Sequence, residues 1–324
     1  MSKINLINDN CFNYFPQISD KSIDMILCDL PYGTTKNSWD SQIDLQKLWS
    51  EYERIIKDNG AILLFAQSPF DKFLGCSNLK LFRYEWIWQK TNATGHLNAN
   101  RMPMKAHENI LVFYKKLPKY YPQMTHGHER KISKIEHRLG CNKSDNYGAY
   151  NFVGYDSTDR YPRDVITFAS DKQIECLHPT QKPVALLEYL IKTYTDKGDI
   201  VLDNCMGSGS TAIACLDLDR NFIGIEINEE YYQIASSRLN QHFKLHCNNY
   251  LKKIETALKN KSEQSFEKIY SDLFRKASQI VITHPQELLE SPKEYKDFLI
   301  RCFNYFRTEK IFADAINLLH GKRY

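Results

Sequence analysis

No apolar run in this 324-residue chain approaches the roughly 18 to 20 residues needed to cross a bilayer. The N-terminus is polar and has no signal-peptide core, so a soluble, intracellular protein without a membrane partner is expected. The nine cysteines (11, 28, 76, 141, 176, 205, 215, 247 and 302) never form C-x-x-C, and several sit in apolar segments. Free core thiols are therefore expected rather than disulfides or zinc. His126-Gly127-His128, and His242 with His246, read as surface histidines, and no metal is assigned. A net charge of +4 is mild, so any attraction to a polyanion must come from a local patch. Repeats and low-complexity tracts are lacking too. What remains, 42% hydrophobic and 25% charged, suffices for one large α/β core plus an extra module.

Two strand-end motifs stand out. Ile23-Asp24-Met25-Ile26-Leu27-Cys28 is too short for a helix and is closed by the turn-forming stretch from Pro31 to Thr35. It reads as a strand with Asp29 at its carboxyl end. Pro31 stiffens the turn and Gly33 widens its backbone choices, so Asp29-Leu30-Pro31-Tyr32 is held in place. A structural turn with Tyr32 as a packed aromatic accounts for this tetrapeptide equally well when it is taken alone.

The second motif, Asp203-Asn204-Cys205-Met206-Gly207-Ser208-Gly209-Ser210-Thr211, follows Asp199-Ile200-Val201-Leu202 and precedes Ala212-Ile213-Ala214-Cys215-Leu216. The pattern is strand, glycine turn, helix. Gly207 and Gly209 allow close backbone approach to a ligand, and the helix opens with free N–H groups and partial positive charge. Asn221-Phe222-Ile223-Gly224-Ile225 then reads as a strand ending in Glu226, 19 positions after Gly207. That spacing places a carboxylate on ribose hydroxyls in nucleotide-binding α/β folds. The third glycine of a dinucleotide fingerprint is missing, and so is a Gly-Lys-Ser/Thr, which favours a nucleoside without phosphates.

Over residues 4 to 242 these features resemble the beta-type amino-methyltransferases of DNA, in which a D-P-P-Y-like motif precedes the cofactor turn. Asn8-Asp9-Asn10-Cys11, His107-Glu108-Asn109-Ile110-Leu111-Val112-Phe113-Tyr114-Lys115 and His178-Pro179-Thr180-Gln181-Lys182-Pro183 match further segments of that pattern in order. Leu30 and Met206 depart from it, where proline and phenylalanine are common. The resemblance implies a Rossmann-like α/β sheet with permuted motif order, S-adenosyl-L-methionine as cofactor and double-stranded DNA as substrate. It implies catalytic roles for Asp29, Leu30, Pro31 and Tyr32. Cofactor contacts are implied for Asp9, Cys11, Thr180, Lys182, Asp203, Met206, Gly207, Gly209, Ser210, Thr211 and Glu226. Asp203 reads on its own as a turn-fixing or helix-capping carboxylate.

Asp at the head of the motif leans toward N6 of adenine, with N4 of cytosine as the alternative. A binder that does not turn over is a third reading, disfavoured because Asp29, Pro31 and Tyr32 are intact. A C5-cytosine enzyme needs a thiolate nucleophile, and no Pro-Cys pair occurs. The target base would have to flip out to reach a closed site. The same resemblance suggests a bacterial or phage-like, cytoplasmic, nucleoid-associated protein of a restriction-modification kind. A homodimer and a companion restriction enzyme are both compatible with it.

The organisation expected is a catalytic half at 1–115, a target-recognition insert at 116–175, a cofactor half at 176–242 and a helical extension at 243–324. In the insert, Arg130, Lys131, Lys134, Arg138, Lys143, Arg160 and Arg163 are candidates for phosphates or guanine edges, and Asn142 and Asn146 for adenine. Thr34 to Asp40, with Lys36 and Trp39, reads as a closing loop. Thr91 to Lys105 reads as a mobile polar loop touching the DNA backbone, while Trp86 and Trp88 read as sheet packing. Beyond residue 242, Phe266, Ile269, Tyr270, Leu273 and Phe274 share one helical face, as do Phe298, Leu299, Cys302, Phe303 and Phe306.

Overall fold

The structure, a computed structural model, describes residues 3–32, 43–134, 154–170 and 181–242. The expected helical extension, the loop with Lys36 and Trp39, Thr180, Arg138, Asn142, Lys143 and Asn146 lie outside the described residues.

The chain builds strands β1 (Ile4–Asn8), β2 (Ile23–Asp29), β3 (Ile56–Ala66), β4 (Phe82–Thr94), β5 (Lys105–Phe113), β6 (Lys131–Ser133), β7 (Tyr155–Ser157), β8 (Val165–Phe168), β9 (Ile200–Asp203) and β10 (Asn221–Glu226). Eight of them form one sheet in the order β1-β10-β9-β2-β3-β5-β4-β8. The first five are parallel, β5 runs antiparallel to β3 and β4, and β8 is parallel to β4. Strands β6 and β7 form a separate antiparallel pair.

Helices cover both faces, which is why β2 is an almost unbroken apolar run rather than an alternating one. Met25, Leu27, Leu63 and Phe65 point toward α4 (Val184–Tyr194), α5 (Ser210–Asp217) and the helix over residues 229–242. Ile26, Cys28, Ile62 and Leu64 point the other way, onto α1 (Cys11–Tyr14), α2 (Leu45–Ile55) and α3 (Phe70–Ser77). Helix α2 is capped by Asp44, whose side chain accepts from the Lys47 N–H, and it buries Leu48, Trp49, Tyr52 and Ile55 along one face.

Strand order reverses between β9 and β2. From β2 the chain proceeds to β3 on one side, and from β9 to β10 on the other. Asp24 ties this junction at its lower end: Oδ1 accepts from Lys57 Nζ at 2.6 Å and Oδ2 from the Ile200 N–H at 3.0 Å. No helix among the described residues is long and apolar enough to cross a membrane.

Two expectations change. Thr91 to Lys105 is not one loop: β4 runs on to Thr94 and pairs with β5 at Lys105, leaving only 95–104 as the connection. Polar residues hid that strand, because its edge carries no apolar alternation. The span 116–175 also returns to the main sheet, since Val165–Phe168 pairs with Ile87–Lys90. Trp86 and Trp88 are buried sheet residues, as expected, with their indole N–H groups donating to Tyr194 Oη and to the Phe168 carbonyl.

Replacing Asp24 with alanine strands the Ile200 N–H, a loss of about 1 to 3 kcal/mol. Asp24→Asn, which keeps an acceptor, should lose less. Urea midpoints of the two variants check this, and an Asp24→Ala midpoint equal to the parent's refutes it.

Candidate active site

Strands β2 and β9 pair through Met25–Val201 and Ile26–Leu202, so Asp29 and Asp203 leave the sheet side by side at its carboxyl edge. In an open α/β sheet this switch point is where ligands bind. The cleft there holds about 310 Å³. Asp9, Cys11, Asp29, Leu30, Pro31 and Tyr32 line it, with Lys182, Asp203, Met206, Gly207, Ser210, Thr211 and Glu226 opposite. Of the residues expected at a site, Gly209 does not line it and Thr180 lies outside the described residues.

Asp29 is held at both oxygens. Tyr32 Oη donates to Oδ1 at 2.7 Å, and Lys182 Nζ donates to Oδ2 at 2.5 Å. The Tyr32 ring lies on Phe70, with centroids 5.0 Å apart and planes 28° from parallel. Lys182 comes from the segment before α4 and lines the cleft. Its ammonium sits between Asp29 and Glu108 of β5, 3.2 Å from Glu108 Oε2, and over the Phe65 ring. Glu108 in turn takes Lys90 Nζ of β4 at 2.5 Å and Gln67 Nε2 at 2.7 Å.

Asp29, Glu108 and Lys182 shift one another's protonation. Burial raises the Asp29 carboxyl, with Lys182 pulling it down and Glu108 pushing it up. Burial opposes ionisation of Glu108 as well, yet Lys182 and Lys90 together bring it to about 2. Burial likewise works against the Lys182 charge, and Asp29 and Glu108 overcome it, raising Lys182 to about 12. The sequence alone assigns Glu108 no role. Its signal was a charged residue in a strand that is otherwise apolar from Ile110 to Phe113.

The other half of the cleft is a turn locked by carboxylates. Asp203 Oδ1 accepts from the Cys205 N–H at 3.2 Å and Oδ2 from Thr211 Oγ1 at 2.7 Å, so it fixes the glycine turn from within. Burial raises Asp203 to about 6. Glu226 accepts the Gly207 N–H and the Asn228 N–H, both at 2.9 Å, and burial raises its carboxyl too. Arg238 Nη1 reaches Ser208 and Ser210 from the helix over 229–242. Asp9 Oδ1 accepts from the Asn10 N–H and Asn13 Nδ2. Cys11 is pushed up to about 12, chiefly by burial, and is therefore a thiol that packs rather than attacks.

Two glycines are needed for reasons other than ligand approach. Gly209 caps α5 with φ +76°, and a Cβ there would stand 3.0 Å from Ala235 Cβ. Gly224 in β10 makes room for Met206, whose Sδ would be 2.4 Å from an added Cβ.

The insert's cations divide. Arg130 grips Asp156 with two bonds of 2.8 Å, and Arg160 donates to carbonyls of Ser157, Asp159 and Glu129. Both hold their own segment together. Lys131, Lys134 and Arg163 are exposed.

Residues 23–237 match the family described as DNA methylase. The type II methyltransferase M.HpaI of Haemophilus parainfluenzae is 29% identical over 253 residues, covering 74% of this chain and 74% of its own. Type II methyltransferase M1.MboII of Moraxella bovis is 30% identical over 266 residues, covering 74% of this chain and 98% of its own. The DNA adenine methyltransferase YhdJ of Escherichia coli (strain K12) is 27% identical over 254 residues, covering 72% and 82%. Among solved structures, the M1.HpyAVI–SAM complex aligns with a TM-score of 0.50 at 27% identity, over 73% of this chain and 99% of that one. With most of its length matched and a relative aligned over nearly its full extent, the chain belongs to the N6/N4 DNA methylase family.

Proposed function

We propose that the protein transfers a methyl group from S-adenosyl-L-methionine to the N6 amine of adenine in double-stranded DNA. The observation that carries this reading is the pairing of β2 with β9, which sets a half-buried Asp29 and a glycine turn around one cleft. YhdJ, an adenine methyltransferase by name, supports the base, and the M1.HpyAVI–SAM complex supports the cofactor. Transfer to N4 of cytosine is the second reading, since the family spans both amines. The type II relatives support a restriction-modification setting, with the protein acting in the bacterial cytoplasm on nucleoid DNA.

The cleft's donor set suits the cofactor. Glu226 and Asp9 carry acceptors for hydroxyl and amino groups, and Ser210 and Thr211 open α5. Gln181 lines the cleft, and its Oε1 is buried without a hydrogen-bond partner among the described residues. Such an acceptor is costly unless a ligand donor meets it. When bound, S-adenosylmethionine supplies an electrophilic methyl on a sulfonium.

The chain's own part is to prepare the acceptor. An exocyclic amine shares its lone pair with the ring and is a poor nucleophile. The Asp29 carboxylate and the Leu30 carbonyl accept its two hydrogens and localise that pair, a preorganised electrostatic effect. Alignment of amine and methyl supplies a further share of the barrier reduction. With the cofactor bound, formation of the N–C bond would be matched by loss of the S–C bond to a neutral thioether; the nitrogen would then carry the positive charge and release one proton, for which Asp29 is the adjacent base. Tyr32 and Lys182 fix the direction of both Asp29 oxygens, and Glu108 fixes Lys182. The Tyr32 ring, backed by Phe70, forms one wall for the base.

Labelled S-adenosylmethionine with mixed-sequence duplex DNA, followed by nucleoside analysis, should give N6-methyladenine. N4-methylcytosine would replace the main reading with the second, and unlabelled DNA would sink both. Asp29→Ala should keep cofactor affinity by calorimetry yet lose transfer by about 10²- to 10³-fold or more.

The pH profile tests the ion network. Because burial raises Asp29, the acid limb of the single-turnover rate should lie above the ordinary aspartate range near about 3.9. Lys182→Met removes the cation that holds Asp29 down, so its limb should move to higher pH. Glu108→Gln removes an anion that pushes Asp29 up, so its limb should move to lower pH. Identical limbs in both variants would show that the network does not govern Asp29.

A further inference from the structure

Strands β4 and β5 do not stop at the level of the site. The cross-strand partners Asp29–Phe65, Phe65–Ile110 and Ile110–Trp86 set Asp29 and Trp86 at one height. Because β5 runs antiparallel to β3, its first residues lie beyond the carboxyl edge where the cleft opens. The five residues back from Ile110 to Lys105 rise roughly 17 Å above that edge. Two to three strand spacings put this ribbon roughly 10 to 14 Å to the side of Asp29.

Every residue from 91 to 107 is exposed, so the ribbon buries no face against the rest of the described chain. Its tip is nonetheless built. Gly95, at φ +92°, starts a turn over His96–Asn98, closed by bonds from the Asn98 N–H to the Gly95 carbonyl and from the Arg101 N–H to the Asn98 carbonyl. On that turn stands Leu97, 98% exposed, the most exposed large hydrophobic side chain among the described residues. Met102 and Met104 flank it at 53% and 38%. No aspartate or glutamate occurs between 91 and 107, while Arg101 and Lys105 do.

We infer that this ribbon is a DNA-docking arm and that Leu97 is the wedge that enters the base stack beside the flipped target. The inference rests on the DNA-methylating reading above and adds the element that opens the duplex. A two-stranded ribbon fits a groove about 12 Å wide. Leu and Met are side chains that part base steps when inserted from such elements. An arm without carboxylates meets no repulsion from phosphates, and Arg101 and Lys105 add attraction. Its place on the cleft's own edge matters most, since a base leaving the stack must travel from the duplex axis to Asp29. The hole it leaves collapses back unless something fills it, and the tip of the arm is within reach of that hole.

The test uses the full chain and the methylated site once it is mapped in mixed-sequence duplex DNA. Leu97→Ala should lower single-turnover methylation of the matched duplex about tenfold. On a duplex with an abasic nucleotide opposite the target, which flips without help, the same variant should come within about threefold of the parent. The paired change Arg101→Ala with Lys105→Ala should flatten the salt dependence of duplex binding by nearly two in log–log slope. Cofactor affinity should be unchanged in all variants. Equal losses on both duplexes, or no loss, overturn the wedge; an unchanged salt slope overturns the arm as a DNA contact. Conversion of a dimeric parent to monomeric variants in sedimentation assigns the arm to a second copy of the chain and overturns the inference too. A parent that binds duplex DNA with the expected slope but places no methyl on it counts against the reading of the reaction, not against the arm.

Discussion

Two residue pairs, Met25–Val201 and Ile26–Leu202, join the halves of the sheet, and everything functional depends on that seam. Neither half alone makes a cleft: β2 ends in an acidic turn, and β9 ends in a glycine turn. A slip of one residue would turn Asp29 and its neighbours onto the opposite face. Asp24 guards against that slip by binding the Ile200 N–H across 176 residues of sequence while also holding Lys57. Register is thereby set at the bottom of the seam and read out at the top.

Across the top, a second constraint runs sideways. Lys90, Glu108, Lys182 and Asp29 alternate in sign from β4 to β2, crossing most of one half of the sheet. A single buried charge in this position would be expensive, and pairing offsets that cost only when every member is present. The consequence is mechanical as well as electrostatic. Strand β4, which carries the exposed arm, is tied through Glu108 and Lys182 to the carboxylate at the site. The element proposed to meet DNA and the group proposed to receive the amine thus share one buried network.

Much of this was legible in the sequence, and the parts that were not have physical reasons. Strand ends at Asp29, Asp203 and Glu226 announced themselves because short apolar runs broke into turn residues at those points. What partners a side chain chooses is a matter of tertiary distance, so the sequence did not show that Lys182, besides lining the cleft, pairs with Asp29 and Glu108. Glu108 stood out only as a charge beside an apolar stretch, and its partners could not be read for the same reason. Gly209 also has a packing reason that the sequence did not show, since a Cβ there would meet Ala235 on the helix over 229–242. Arg130 and Arg160 looked like free cations, yet each bonds to groups of its own segment. The polar end of β4 passed for a loop because its pairing with β5, not its own propensity, makes it a strand.

The charge lining the cleft adds a last step. Among the described residues, Asp9, Asp29, Asp44, Asp203 and Glu226 contribute five carboxylates to the lining, against one ammonium, that of Lys182. Lys182 is already matched by Asp29 and Glu108, so the remainder of the cavity is left anionic. Burial answers this partly by raising Asp203 to about 6 and by raising Glu226 above the usual carboxylate range. On the proposed reading, such a cavity prefers a sulfonium to the neutral thioether left after transfer. The same field that draws the methyl donor in therefore holds its product less tightly. Turnover is favoured by electrostatics set in the seam between β2 and β9, before any loop over the site has to move.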